Sequence, residues 1–157
     1  MDEAIIAILC LGGPSNCLPL RMEKLVNEYN ILKKDSGCKI QWILTGYPHE
    51  IEYMKDFLGQ SKITDTPVEV STYDTVSNLE DSKRYWNDCD TVIMSTSISH
   101  AKRVKYIVGN DVYTKFQYIP SGENEVWYSA IAEMLYKYLA TRKLLQYTAF
   151  ILRRTKM

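Results

Sequence analysis

The sequence predicts an α/β fold: a doubly wound, mostly parallel sheet of about five strands with helices on both faces. Three observations predict it. Short apolar runs recur along the 157-residue chain. The stretches between them switch to the three-and-four spacing of amphipathic helices. Polar, glycine-bearing or ionisable residues follow each run, and in an open α/β sheet the carboxyl ends of the strands share one edge where ligands bind.

The first run, AIIAILCL, is followed by Gly12-Gly13-Pro14-Ser15-Asn16. Residues 18–35 then place Met22, Leu25, Val26, Tyr29 and Leu32 on one helical stripe. IQWIL is the second strand, followed by Thr45-Gly46-Tyr47-Pro48-His49-Glu50. Residues 48–60 carry Ile51, Met54, Phe57 and Leu58 at helical spacing, and Pro48 fits a first helical position, where its missing N–H costs nothing. VEV is the third strand, with Ser71-Thr72-Tyr73-Asp74-Thr75 after it and a short helix over 75–87. TVIM is the fourth, followed by the loop 95–100 and a helix over 99–108. FQYI is the fifth, leading through Pro120-Ser121-Gly122 into a long helix over 121–140. No linker, internal repeat or low-complexity stretch divides the chain, so residues 1–157 read as one domain.

Lysine and arginine number 19, as do aspartate and glutamate, so no global field draws in nucleic acid or an acidic membrane. The four cysteines contain no C-x-x-C pair, and Cys10 falls inside the first strand, so four free thiols are expected and a structural zinc is not. Two histidines, with no carboxylate spaced as a partner ligand, leave no expectation of a metal. The start Met1-Asp2-Glu3 lacks the basic region of a signal peptide, and no apolar stretch approaches the roughly 18 to 20 residues that span a bilayer. A soluble, cytoplasmic protein is the expectation. After Glu133 the chain holds Lys137, Arg142, Lys143, Arg153, Arg154 and Lys156 without an acidic residue, and its stretch LLQYTAFIL suits either a helix or an added strand. A terminal element packed on the sheet and a weak peripheral contact with a membrane or partner are the two readings of this basic tail.

The loop LGGPSN is not G-x-G-x-x-G, so it is either a tight turn or a set of amides that holds an anion near a helix start. Arg21 reaches back over this loop or forms a surface ion pair. Glu50, near the third helical position, caps backbone amides or serves as a hydroxyl acceptor or general base at the ligand edge. His49 beside it reads as exposed and inert. Thr75 and Asn78 stand at a capping spacing and are also candidates for ligand hydrogen bonds. The strongest local constellation is Ser97-x-Ser99-His100-x-x-Arg103, in which His100 and Arg103 share a helical face and either Ser97 or Ser99 can cap the helix start. Hydroxyls, imidazole, guanidinium and helix dipole together make an anion site. No G-x-S-x-G elbow supports a serine nucleophile.

Taken in order, Leu11-Gly12-Gly13, Arg21, Thr45-Gly46, Glu50, Thr75-x-x-Asn78 and Ser95-Thr96-x-x-x-His100-x-x-Arg103 resemble the YdcF-like domain family of the SanA/ElyC type. The resemblance covers residues 5–107. It implies a Rossmann-like fold with its site at the strand carboxyl edge. Gly12, Gly13, Arg21, Glu50, Thr75, Asn78, His100 and Arg103 match the family's motif positions. Its chemistry is little characterised: one relative is associated with S-adenosylmethionine, others with envelope and peptidoglycan-precursor maintenance. Thr45-Gly46-Tyr47 departs from the family's usual Ser-Gly-Gly. The expectation is a small anionic or nucleotide-like ligand, S-adenosylmethionine or a phosphorylated compound, held by Arg103, Arg21, Gly12 and Gly13. If there is catalysis, His100 and Glu50 are the acid/base candidates for transfer or hydrolysis. A non-catalytic binding module and an interaction protein using the basic tail are the alternatives.

Overall fold

The computed structural model describes residues 3–34, 37–124 and 134. Among these residues five strands form one all-parallel sheet in the order β3-β2-β1-β4-β5. They are β1 (Ala4–Leu11), β2 (Cys38–Gly46), β3 (Val68–Ser71), β4 (Thr91–Thr96) and β5 (Phe116–Pro120). Between them run α1 (Leu18–Leu32), α2 (Pro48–Gln60), α3 (Thr75–Trp86), α4 (Ile98–Val108) and the single turn α5 (Asn110–Tyr113).

The alternation of β1 side chains divides the core. Ile8 and Cys10 face the layer of Met22, Leu25, Tyr29, Met54 and Leu58 from α1 and α2. Ala7, Leu9 and Leu11 face Leu79, Trp86, Ala101 and Val104 from α3 and α4. Parallel strands buried on both faces need continuous apolar runs rather than alternation, which is why the central strands read as AIIAILCL and TVIM. The two edge strands are short, four and five residues, which limits the unpaired backbone an edge presents. Chain order reverses at β1, whose neighbours are β2 and β4. The carboxyl ends of β1 and β4 therefore flank the switch-point crevice of a doubly wound sheet.

Expected boundaries move at several places, three of which bear on the site. The strands β2 and β4 run two residues past their apolar cores, because Thr45, Gly46, Ser95 and Thr96 still pair with neighbouring strands. The helix expected from Ser121 does not begin there. Residues 121–124 are non-helical, Gly122 takes a φ of +79°, and Ser121 N–H donates to the Thr96 carbonyl at 3.1 Å. The remainder of that expected helix, Met134 apart, and the whole basic tail lie outside the described residues. The third correction is the α3 cap, which sits one residue earlier than expected. Asp74 is extended (φ −158°) and its carboxylate accepts from Ser77 N–H at 2.9 Å.

All four cysteines are free. Burial pushes the Cys10 thiol up to about 12, with Arg21 opposing and Glu50 adding to the shift. A thiol held that high is unreactive. Among the described residues no helix is long and apolar enough to cross a membrane.

Candidate functional site

Apart from Ser82, every buried polar or charged side chain among the described residues lies at the carboxyl edge or bonds to it. Burying a polar group costs free energy unless it is hydrogen-bonded. Their concentration at one edge of an otherwise apolar core marks where the fold departs from plain packing.

On the β2 side of β1, the edge is a seam of two glycines. Gly12 N–H donates to the Thr45 carbonyl at 2.6 Å. A Cβ on Gly12 would stand 2.7 Å from the Gly46 Cα and would collide with Glu50 Oε2. Gly46 has a φ of +145°, a conformation side chains disfavour, and a Cβ there would meet the same carboxylate. Both positions need glycine because the Glu50 carboxylate lies against the seam. Glu50 is buried, and its Oε2 accepts from Tyr47 N–H at 2.8 Å. The capping role is therefore filled, and it also fixes the carboxylate over the glycines.

Arg21 reaches back to the first loop and is buried there, not in a surface ion pair. Its Nη1 donates to the carbonyls of Leu11 (3.0 Å) and Gly12 (3.2 Å). Its Nε and Nη2 hold the Glu123 carboxylate in a two-pronged pair at 2.8 and 2.7 Å. Gly13 makes room for it, since a Cβ would come within 2.7 Å of Nη1. Burial alone would raise the Glu123 carboxyl; its bonds from Arg21, Ser121 and Ser97 and the Arg21 charge outweigh that and hold it below its ordinary value. The Gly12 amide and the Arg21 guanidinium, expected to hold the ligand's negative group, are instead committed to protein partners.

On the β4 side, the α4 N-terminus carries the histidine constellation. Ser97 caps α4, its Oγ accepting from His100 N–H at 3.3 Å. The His100 ring lies between two threonines, Nδ1 at 2.8 Å from Thr96 Oγ1 and Nε2 at 3.2 Å from Thr75 Oγ1. Burial lowers its pKa well below the ordinary 6.5, and the charges of Arg21 and Arg103 push the same way. The imidazole is neutral at neutral pH. Thr75, at the first turn of α3, joins α3 to α4 through this ring. Asn78 serves a different purpose: its side chain accepts from the Thr72 hydroxyl and stitches α3 to the end of β3. Arg103 is half-buried one turn after His100.

The structure thus brings Gly12, Gly46 and Glu50 together at one end of the edge, and Thr75, Ser97, His100 and Arg103 at the other. Arg21 and Gly13 meet just past the end of β1, and Asn78 is tied to Thr72 just past the end of β3. Sequence reasoning missed Glu123, whose partner is 102 residues away, and gave no role to the hydroxyl of Thr96, which it read as loop and the structure places at the end of β4. It also left Tyr47 and Tyr73 unassigned, though both are exposed aromatics in edge loops, which is a signal. Ser95 Oγ is buried at the end of β4 without a hydrogen-bond partner among the described residues. Among those residues no cluster of three or more His, Cys, Asp or Glu has metal-holding geometry.

No protein-family model matches this chain, and no curated protein matches it.

Proposed function

We propose that this protein is a YdcF-like domain that binds a small anionic or nucleotide-like ligand at the carboxyl edge of its sheet. The observation that carries the reading is the gathering of buried polar side chains at that edge, around the switch point between β1 and β4. Arg103 and the first turn of α4 supply the positive end. That turn has amides with no intrahelical acceptor, as every helix start does, and a dipole that favours negative charge. The Gly12 and Gly46 seam seats the buried Glu50 carboxylate at the same edge, so the glycines shape the site's wall rather than touch the ligand. Phosphorylated compounds and S-adenosylmethionine are the ligand classes that the family resemblance implies.

A catalytic role is the second reading, and the contact of His100 Nε2 with the Thr75 hydroxyl is what it rests on. A neutral imidazole can accept a proton at neutral pH, and Thr75 Oγ1, 3.2 Å away, is the group through which it reaches a ligand. Transfer or hydrolysis would then run with Glu50 as the second acid/base group. The same hydrogen bonds serve a pure binding module, in which His100 only orients Thr75.

A thermal-shift screen of nucleoside phosphates, S-adenosylmethionine, S-adenosylhomocysteine and polyprenyl phosphates tests the reading. A ligand at a hundred times its dissociation constant adds about 2.7 kcal/mol of stability. Arg103→Ala should weaken the hit about ten- to a hundredfold, the worth of a charged hydrogen bond. An absence of shift across the panel sinks the proposal. His100→Asn separates the two readings: loss of turnover by about a hundredfold or more with retained binding marks an enzyme.

A further inference from the structure

Three exposed large hydrophobic residues stand in the edge loops: Tyr47 after β2, Tyr73 after β3 and Ile98 at the start of α4. Exposed aromatics beside a polar crevice, on a sheet whose core already holds Trp42 and Trp86 at 1% exposure, contribute nothing to the core. The Tyr47 and Tyr73 rings meet edge to face, centroids 5.6 Å apart and planes at 70°. The His49 imidazole stacks on Tyr47 at 5.7 Å and 22°. Tyr73 is 58% exposed and Tyr47 39%, so both rings keep surface open to solvent.

The backbone fixes this corner without help from a ligand. Tyr47 N–H is bound by Glu50 Oε2, and its carbonyl accepts from Glu50 and Ile51 at 2.9 and 3.0 Å. Thr72 N–H donates to the Gly46 carbonyl at 2.8 Å, which sets the residue before Tyr73 beside the residue before Tyr47. Tyr73 is two residues from Thr75, whose hydroxyl touches His100. Two rings held at a wide angle, next to a glycine seam and one short step from an imidazole and a helix start, suit a ligand with a flat ring and a polar group.

We propose that Tyr73, the more exposed ring, braced edge to face by Tyr47 with His49 stacked behind, offers a stacking face for the planar heteroaromatic ring of the ligand, the chemical class being a nucleobase. The platform rests on the binding reading given above and adds which part of the ligand lies on the β2–β3 side. Stacking on an aromatic face is tolerant of base identity because every base has a π-face. An alkyl chain would gain from burial alone and would not require ring planes.

The test is calorimetric titration of the full chain with the adenosine, guanosine, cytidine and uridine monophosphates, and with ribose 5-phosphate, which lacks the base. At least one nucleotide should bind more tightly than ribose 5-phosphate by tenfold or more. Tyr73→Ala should weaken that nucleotide about five- to a hundredfold, the range for losing one stacked base, and leave ribose 5-phosphate unchanged. Tyr73→Phe should keep nucleotide affinity, since it keeps the face. Urea melts should show Tyr73→Ala as stable as the parent, because the side chain is exposed. Equal affinity for ribose 5-phosphate and all four nucleotides overturns the platform and leaves the anion site standing. Nucleotide binding undisturbed by Tyr73→Ala and Tyr47→Ala overturns it as well. Binding of none of the five probes overturns the edge as a nucleotide site and the platform with it.

Discussion

Arg21 and Glu123 hold the loop after β1 to the segment after β5. Their side chains are 3% and 6% exposed, so this pair is not the screened surface contact that contributes little. Removing one member of a buried pair leaves the other charge without its partner. Glu123→Ala should therefore cost about 3–5 kcal/mol, measured by urea unfolding. The double replacement Arg21→Met with Glu123→Leu should recover much of that loss, because well-packed apolar groups can substitute for a buried pair. Equal destabilisation of the double and single variants would mean that the two Arg21 bonds to the Leu11 and Gly12 carbonyls dominate.

At the scale of elements, α3 offers the sharper test, because its cap carries more than helix stability. Asp74 accepts from Ser77 N–H, and Ser77 Oγ reaches back toward Asp74 N at 3.2 Å. This start positions Thr75 against His100 and Asn78 against Thr72. Asp74→Ala should cost about 0.5–2 kcal/mol, visible as a lower urea midpoint. An unchanged midpoint would show that the Thr75 and Asn78 bonds hold α3 without the cap. The sequence carried α2 with both ends, because Pro48 and a clean apolar stripe mark it locally. It carried the order of strands and helices for the same reason. It could not place the α3 cap, since Asp74, Thr75 and Ser77 are all capping residue types and only the observed backbone chooses among them. The site was legible where neighbours in sequence are neighbours in space, as in Ser97, His100 and Arg103. It was illegible where the partner comes from across the sheet: Thr75 on His100, Glu50 on Gly12, Glu123 on Arg21. No local period encodes those pairs.

Across the whole molecule, two groups with lowered pKa values among the described residues give stability a defined pH dependence. His100, pushed below its ordinary 6.5 chiefly by burial, stays neutral in the fold while the unfolded chain takes up a proton first. Its contribution is fully present above about 6.5 and is lost progressively as the pH falls below that value. Glu123 is held below its ordinary 4.5, since its bonds to Arg21 and the serines outweigh its burial, so its contribution is present above about 4.5 and lost on further acidification. Both signs agree, and the protein should lose stability in two stages as it is acidified, the first from His100 and the second steeper with Glu123. Protonating His100 would also set a positive ring toward Arg21 and Arg103, whose charges already act on it. Because the ring joins Thr75 on α3 to Thr96 on β4, the cost is borne by the packing of two helices against the sheet and registers in global unfolding. Urea midpoints at about pH 7.5 and about pH 5.5 measure the first stage. His100→Asn should be less stable than the parent at the higher pH and should lose less between the two. Parallel losses in the parent and the variant would show that some group other than His100 carries the first stage.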